Sequence, residues 1–314
     1  MSGGHADRCS DFPLLPVLLE GDRARVDPPG KVNLFLEVIA RRADGYHDIE
    51  TLLIPIELRD TLEVTLSETG HDQLEVIGDG APEGPDNLVI SALEMVRSVR
   101  EIPPLSIRLS KRIPTAAGLG GGSADAAGML ALINHLFPTE GGVAQKQLLA
   151  RHIGSDVSFF LGSGPAIARG RGDRLGPVPE PFLGGDRPAW LLVVPEERVE
   201  TSSCYRQIPF PLTCPDGPIT FPTRTFESCD LWREGIFNRL WHVVEARHPG
   251  LRALGRSLEE AVPGKWSMSG SGSTFFVVCE SWGEAEDIAD TLRRELAGEE
   301  SPRFEVTPVK PWNS

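Results

Sequence analysis

The chain has 314 residues, of which 40% are hydrophobic and 24% charged, a composition typical of globular proteins that can bury a sizeable core. Its formal net charge of −14 provides no basic field to attract nucleic acid or an anionic membrane, so neither is expected as a partner. No stretch approaches the roughly 18 apolar residues of a membrane span. The five cysteines are odd in number and lack metal-ligand spacing, which predicts free thiols and a cytoplasmic location.

Residues 1–21 have no helical or strand period, and we expect them to form a poorly ordered extension. After them the period becomes two, because the apolar residues Val32 and Leu34 alternate with Lys31 and Asn33. This alternation predicts a half-buried strand that places Lys31 and Asn33 on the same face. Further strands are predicted at residues 49–56 and 62–66. The chain is therefore expected to open as an antiparallel sheet.

Two positions beside this sheet carry side chains of interest. Tyr46 and His47 follow the turn signal Asp44-Gly45, and on local grounds they are a packed aromatic ring beside a solvated imidazole. Lys111 follows a predicted strand at residues 105–109 and precedes a glycine-rich stretch. It is either a solvated strand end or, in so acidic a chain, a cation that meets an anionic ligand.

Residues 114–122, here called the glycine loop, have Gly at position 118 and at positions 120–122. Glycine allows unusual backbone angles, so several successive N–H groups can point into one hollow and bind an anion. The apolar spacing of Ala126, Leu130 and Ile133 predicts a helix directly afterwards, with Ser123 as its N-cap. A glycine loop that leads into a helix N-terminus is typical of a phosphate-binding site.

The sequence of the glycine loop has three other interpretations. Glycine runs are often flexible linkers, although linkers are seldom followed by an apolar helix. The loop is not a Walker motif, because no Lys follows its last glycine. It is not a dinucleotide fingerprint either, because Ser123 stands where the third glycine would be required.

Asp156 lies at the predicted start of a short helix, ahead of the apolar Phe159-Phe160-Leu161. Burial of these three residues would leave Asp156 at a rim. An Asp in this position is often simply a helix cap, so the local pattern does not decide its role.

Proline and glycine at residues 177–188 predict a linker between two domains, which we place at residues 22–180 and 188–312. Strands alternate with helices in the second domain, which predicts an α+β sandwich. Its helices are predicted at residues 201–208, 230–247, 250–261 and 283–296. Residues 268–273, here called the glycine turn, join two predicted strands and could be a plain hairpin.

The glycine loop resembles the ATP loop of the GHMP kinase superfamily. Three more segments resemble motifs of that superfamily in the expected order, namely Pro29–Leu34, Gly154–Phe160 and the glycine turn. The resemblance implies an α+β fold of two domains, with an N-terminal ribosomal-protein-S5-like β–α domain and a C-terminal ferredoxin-like domain.

The Gly45-Tyr46-His47 element resembles one branch of the superfamily in particular. That branch uses ATP to phosphorylate the 2-hydroxyl of a methylerythritol that carries a cytidine diphosphate group, in the non-mevalonate route to isoprenoid precursors. The alternatives are a kinase of the homoserine or mevalonate type and a catalytically inactive relative that senses a ligand. The resemblance leaves the oligomeric state open.

The resemblance also implies roles for individual residues. Asp156 would be the catalytic base, and Lys31 would orient it and stabilise the developing charge. ATP would be bound by Lys111, Pro114, Ala117, Gly118, Leu119, Gly120, Gly121, Gly122, Ser123 and Ala124, with Mg²⁺ accompanying ATP and Ser123 as its candidate ligand. The substrate would be bound by Asn33, Tyr46, His47, Tyr205, Gly270 and Gly272. The family pattern is lost at residues 237–241, to which no role is assigned.

Overall fold

The structure is a computed structural model that describes residues 15–78, 80–138, 149–162, 164–178, 188–209, 235–295 and 303–310. Three sheets lie within these residues. The first has the strand order β1-β2-β5-β7-β6. Its strands are β1 (Leu18–Glu20), β2 (Arg23–Val26), β5 (Thr61–Leu66), β6 (Gln73–Ile77) and β7 (Leu105–Ser110).

The second sheet carries the predicted antiparallel opening and has the order β11-β3-β4-β8-β9. Its strands are β3 (Pro29–Arg41), β4 (His47–Arg59), β8 (Ala166–Gly170), β9 (Arg174–Gly176) and β11 (Phe237–Asn238). Strands β3 and β4 are antiparallel, as predicted, whereas β11 joins the free edge of β3 in parallel. The second half of the chain therefore completes a sheet of the first half.

The third sheet is antiparallel, with the order β12-β13-β10-β14. Its strands are β10 (Ala189–Pro195), β12 (Trp266–Met268), β13 (Phe275–Cys279) and β14 (Phe304–Val309). Trp190 and Leu192 on one face of β10 share a core with the second sheet, and Leu191 and Val193 on the other face share a core with helices. Burial on both faces explains the uninterrupted apolar sequence of β10.

The labelled helices are α1 (Leu88–Arg97), α2 (Gly121–Leu136), α3 (Val157–Phe160), α4 (Thr201–Arg206), α5 (Trp241–Arg247), α6 (Pro249–Ala261) and α7 (Trp282–Glu295). Asn87 caps α1, because its side chain accepts a hydrogen bond from Val89 N. Helix α2 is buried on nearly every side and not on one face alone, and a Cβ at Gly128 would lie 2.9 Å from Pro28 Cγ. None of the helices in the described ranges is long and apolar enough to cross a membrane.

Two predictions are corrected here. Residues 15–21 are not a disordered extension, because Leu15 and Val17 are fully buried in the core and β1 pairs with β2; residues 1–14 lie outside the described residues. The single helix predicted at residues 230–247 is interrupted, since Phe237 and Asn238 form strand β11 and α5 begins at Trp241; residues 230–234 lie outside the described residues. Pairing with β3 overrides the local pattern there. The domain limits at residues 180 and 188 stay a prediction.

Candidate active site

The glycine loop leads into α2 through a left-handed residue. Gly118 and Gly120 have φ angles of +80° and +73°, and the helix begins at Gly121 with Gly120 as its N-cap. The prediction that Ser123 caps this helix is therefore wrong. The first intrahelical bond runs from Ala124 N to Gly120 O at 2.9 Å. The N–H groups that precede it have no intrahelical acceptor, and such groups suit an anionic ligand.

The glycine loop is held from both sides and is not a free linker. Leu119 O accepts a hydrogen bond from Lys31 N at 2.9 Å, and Ala117 O accepts one from Thr274 N at 3.2 Å. Strand β3 and the region of the glycine turn therefore fix the loop backbone. Fixed amides bind an anion with little further loss of conformational freedom.

Lys111 is buried and ion-paired at the start of the helix, and its expected contact with ATP stays a prediction. Its ammonium donates to Asp60 Oδ2 and, at 2.6 Å, to Asp125 Oδ2, and its side chain is buried. Asp60 Oδ1 also accepts from the backbone N–H groups of Arg112 and Ile113. We call Asp60, Lys111 and Asp125 the buried triad. The buried triad lies at the start of α2, where the glycine loop ends.

The buried triad holds two carboxylates against one ammonium. Burial by itself would lower the pKa of Lys111, but Asp125 and Asp60 together raise it. Burial raises the pKa of Asp125 to about 7 despite the opposing attraction of Lys111. Among the described groups, Asp125 Oδ1 is a buried atom without a hydrogen-bond partner. The triad is therefore sensitive to any change in its charge.

Lys31 and Asp156 meet across the site. Lys31 Nζ lies 3.6 Å from Asp156 Oδ2, which is an ion pair slightly beyond hydrogen-bond distance. The lysine side chain is 5% exposed and that of Asp156 is 32% exposed, so the carboxylate is open to a ligand while the ammonium lies beneath it. Burial lowers the pKa of Lys31, and the neighbouring Asp156 offsets part of this effect.

Asp156 is the N-cap residue of α3, yet its carboxylate makes no capping hydrogen bond. Phe159 and Phe160 are fully buried beneath it, with their ring centroids 5.0 Å apart. The apolar side chains thus anchor the helix and leave Asp156 at the rim, as the sequence predicts. A capping role does not account for this residue.

Asn33 holds Lys31 in place. Lys31 Nζ donates to Asn33 Oδ1 at 2.5 Å and to Gly118 O at 2.8 Å, which confirms that residues 31 and 33 share a face. Asn33 Nδ2 in turn donates to Thr51 Oγ1 at 2.8 Å. The buried carboxamide orients the lysine, and the expected contact between Asn33 and the substrate stays a prediction.

His47 and Tyr205 come together from distant parts of the chain. Their ring centroids are 5.3 Å apart. Burial, followed by the charge of Arg41, lowers the pKa of His47, so a neutral imidazole that can both donate and accept is favoured. Burial and then the charge of Asp156 raise the pKa of the Tyr205 hydroxyl. The electrostatic effect of Asp156 shows that this aromatic pair borders the Lys31–Asp156 pair.

Tyr46 contacts Arg171, and its expected contact with the substrate stays a prediction. Its side chain is 52% exposed, and the guanidinium carbon of Arg171 lies 3.7 Å from the centroid of its ring. The turn that carries Arg171 also packs near the residue before Asp156, since a Cβ at Gly172 would lie 3.7 Å from Ser155 Cβ. Sequence reasoning missed Arg171. The available signal was a cation between two glycines, Gly170 and Gly172, directly after a predicted strand.

The glycine turn is buried against the same lysine. A Cβ at Gly270 would lie 3.1 Å from Asn33 Oδ1 and 3.4 Å from Lys31 Nζ. A Cβ at Gly272 would lie 2.7 Å from Met268 Sδ, so close packing within the turn requires glycine there, and its expected substrate contact stays a prediction. The turn does join antiparallel strands β12 and β13, as a hairpin would.

The residues near the helix terminus fit a magnesium ion that is bound chiefly by a nucleotide. The hydroxyl of Ser123 faces the segment before Asp156, since a Cβ at Gly154 would lie 3.7 Å from Ser123 Oγ. A hydroxyl and a partly exposed carboxylate are oxygen donors of the kind that Mg²⁺ prefers, and the ion ordinarily takes its remaining ligands from phosphate and water.

A substitution at Gly118 tests whether the glycine loop binds phosphate. A Cβ there would lie 2.2 Å from Ser269 O, a backbone atom that cannot move freely, so Gly118→Ala must push the loop away from the glycine turn. We expect affinity for ATP to fall by at least about tenfold, because displaced amides no longer converge on the phosphates. Isothermal calorimetry on the folded variant measures this.

Gly70→Ala is the matched control for that experiment. Gly70 has a similar φ of +77°, but nothing lies within 4 Å of a Cβ placed there. Both variants carry the backbone strain of alanine at positive φ, which costs on the order of 1 kcal/mol, and only one of them disturbs the loop. Equal ATP affinities in the two variants would show that the loop does not bind the nucleotide.

Comparison with known proteins agrees with the motifs. The chain matches the family model described as GHMP kinases N terminal domain at residues 87–164 and the model described as GHMP kinases C terminal at residues 227–298. A protein of Porphyromonas gingivalis named 4-diphosphocytidyl-2-C-methyl-D-erythritol kinase is 37% identical over 257 residues, covering 80% of this chain and 90% of that protein.

Two further comparisons point the same way. The protein of that name from Parabacteroides distasonis is 38% identical over 255 residues, covering 81% of this chain and 90% of that protein. The crystal structure of a 4-(cytidine 5'-diphospho)-2C-methyl-D-erythritol kinase superposes with a TM-score of 0.71 at 33% identity, covering 92% of this chain and 100% of that one. With such identity over most of its length, the chain belongs to the GHMP kinase family.

Proposed function

We propose that the protein transfers the γ-phosphoryl group of ATP to the 2-hydroxyl of 4-diphosphocytidyl-2-C-methyl-D-erythritol, a step in the non-mevalonate route to isoprenoid precursors. The observation that carries the chemistry is the pair formed by Lys31 Nζ and Asp156 Oδ2, 3.6 Å apart beside an open helix N-terminus. The names of the relatives supply the substrate.

Phosphoryl transfer requires positioning and charge stabilisation. Asp156 accepts the proton of the substrate hydroxyl as its oxygen bonds to the γ-phosphorus; the bond from that phosphorus to the oxygen of ADP breaks, and ADP leaves. Lys31 stabilises the negative charge that develops between the two. The amides at the start of α2 hold the phosphates of ATP. Ser123 would help to hold the magnesium ion that accompanies ATP, and the ion would neutralise phosphate charge.

The cytidine group would lie against the aromatic pair. Tyr205 offers a ring face, and a neutral His47 can both donate to and accept from the polar edge of cytosine. Arg171 is an exposed cation over the Tyr46 ring, and a guanidinium suits the diphosphate that links cytidine to the alcohol. In a chain of net charge −14, such local cations are needed to attract a polyanion.

The alternatives fit these residues less well. Homoserine and mevalonate carry no nucleobase, so the His47–Tyr205 pair would have nothing to bind. A relative that only senses a ligand has no need of a partly exposed carboxylate beside a buried lysine. A reducing, cytoplasmic setting suits the two described cysteines, Cys204 and Cys279, which are buried thiols that form no disulfide.

Transfer of labelled phosphate from ATP tests the proposal directly. The acceptors would be 4-diphosphocytidyl-2-C-methyl-D-erythritol, the methylerythritol phosphate without cytidine, homoserine and mevalonate. We expect turnover with the first alone, at a rate that depends on Mg²⁺. Equal or faster transfer to an acceptor without cytidine would replace the proposed substrate.

Tyr205→Ala tests the cytidine site. Loss of base stacking costs about 1–3 kcal/mol, so we expect KM for the cytidine substrate to rise about 5- to 150-fold while KM for ATP stays nearly unchanged. Tyr205→Phe is the matched control, because it keeps the ring and should keep KM near the wild-type value. An unchanged substrate KM in Tyr205→Ala would remove the main support for cytidine binding at this position.

A further inference from the structure

Strand β11 is fastened to the strand that carries the catalytic lysine. Asn238 pairs with Leu36 of β3, and Arg239 N donates to Leu36 O at 2.9 Å. The Arg239 guanidinium binds both carboxylate oxygens of the fully buried Glu37, each at 2.7 Å. Residues 237–239 are therefore held along the edge of β3 by backbone and side-chain bonds, although the family pattern is lost there.

The Asn238 side chain connects this extension to the glycine turn. Its Nδ2 donates to Met268 O at 2.6 Å and to Gly270 O at 2.8 Å, and its Oδ1 accepts from Leu240 N at 2.8 Å. The residue is buried, and its carboxamide uses both donor hydrogens and its acceptor. Aspartate, which is nearly the same size, lacks these two donors.

The glycine turn in turn borders the ammonium of Lys31. Ser269 Oγ donates to Gly118 O at 2.9 Å and accepts from Asn33 N at 3.2 Å. Gly118 O is also the acceptor of Lys31 Nζ, at 2.8 Å. A shift of the turn therefore moves the carbonyl that holds the lysine, and it opens the buried space next to Gly270.

We propose that Asn238 is a positioning residue for Lys31. By holding the carbonyls of Met268 and Gly270, it fixes the glycine turn against Gly118 and so keeps the lysine ammonium opposite Asp156. This inference rests on the proposed kinase function for the effect on turnover. Its effect on Lys31 itself does not depend on any substrate.

The first measurement is kinetic and uses Asn238→Asp and Asn238→Ala. We expect kcat to fall about 10- to 100-fold with substrate KM nearly unchanged, because the lysine is displaced while the cytidine site is intact. In a Lys31→Ala background the same changes should lower single-turnover rates less than threefold, since a residue that acts through Lys31 has nothing left to position. A purely structural residue would lower the rate by an equal factor in both backgrounds.

Arg239→Lys is the matched control. It weakens the bidentate contact with Glu37 next door and lowers the melting temperature, but it leaves the glycine turn in place. We expect kcat to stay within twofold of wild type. Comparable kcat losses in Arg239→Lys and Asn238→Ala would mean that general destabilisation explains both and would overturn the proposal.

The second measurement needs no substrate. The pH dependence of Lys31 acetylation by acetic anhydride, followed by mass spectrometry, reports the pKa of its amine in the folded protein. Burial lowers that pKa and the neighbouring Asp156 raises it, so displacement of the ammonium in Asn238→Ala should shift the profile, while Arg239→Lys should leave it unchanged. An unchanged profile in Asn238→Ala would contradict the proposal. If wild-type protein phosphorylates none of the acceptors, the proposed function fails, and this profile still decides the role of Asn238.

Discussion

Replacement of Asp156 by Asn should lower kcat by roughly 10²–10⁴-fold, the usual contribution of a general base. The amide keeps the shape of the carboxylate and remains at the rim, but it cannot accept the proton of the substrate hydroxyl. Both substrates should therefore still bind. Steady-state kinetics and direct binding measurements on the same preparation separate these effects.

Two further variants define what the Asp156 result means. Asn caps helices as well as Asp does, so a residue needed only for capping would give an Asp156→Asn enzyme with normal turnover. Lys31→Ala should also lower kcat, and the double variant should be little worse than the worse single one, because residues that act as a unit are not additive. Wild-type turnover in Asp156→Asn would remove Asp156 from the proposed mechanism.

Lys111→Met should reduce the free energy of unfolding by about 3–5 kcal/mol at pH 8, because removal of one partner leaves buried charge uncompensated. Two carboxylates would remain, and Asp125 Oδ1 already lacks a partner among the described groups. Urea unfolding followed by circular dichroism measures the loss. A contact with ATP alone, as the sequence suggested, would predict weaker nucleotide binding with little change in stability.

The pH dependence of the buried triad provides the control. The folded-state pKa of Asp125 is about 7, above the ordinary value of 3.8, so between these values the folded protein keeps a proton that the unfolded chain has lost. The stability that this group contributes is therefore complete below about pH 4 and is lost as the pH rises towards 7. Asp125→Asn should gain stability relative to wild type as the pH increases from 5 to 8. A difference that does not vary with pH would show that Asp125 is ionised throughout.

The Lys31–Asp156 pair could be predicted from the sequence, but the residues around it could not. Alternation along β3 predicted that Lys31 and Asn33 share a face, and the resemblance to a known motif supplied Asp156. The burial of Lys111 could not be predicted, because its partner Asp60 comes from another part of the chain, at the end of β4 and start of β5, where nothing local marks it as buried. A cation next to glycines is expected to be exposed, but Lys111 is buried in ion pairs with Asp60 and Asp125.

The prediction for residues 237 and 238, which form strand β11, was wrong for a related reason. Residues 237 and 238 have a sequence that continues a helical pattern, but their partners are Phe35 and Leu36 of β3. A strand of two residues has no period to detect, and its stability comes from the edge that it joins. The hydrogen bonds of Asn238 were equally invisible, because they depend on how the glycine turn lies against that edge.

Strand β11 also determines when the enzyme can become complete as it is synthesised. Ribosomes deliver the chain from its N-terminus, and β3 emerges some two hundred residues before its neighbour Phe237–Asn238. During that interval the strand that carries Lys31 presents an open edge, with unpaired backbone groups that can join a foreign strand. The ion pair between Glu37 and Arg239 also cannot form until residue 239 has been synthesised. The sheet is therefore completed only late in synthesis, when β11 pairs with the strand that carries Lys31. A product that ends before residue 237 would lack this pairing.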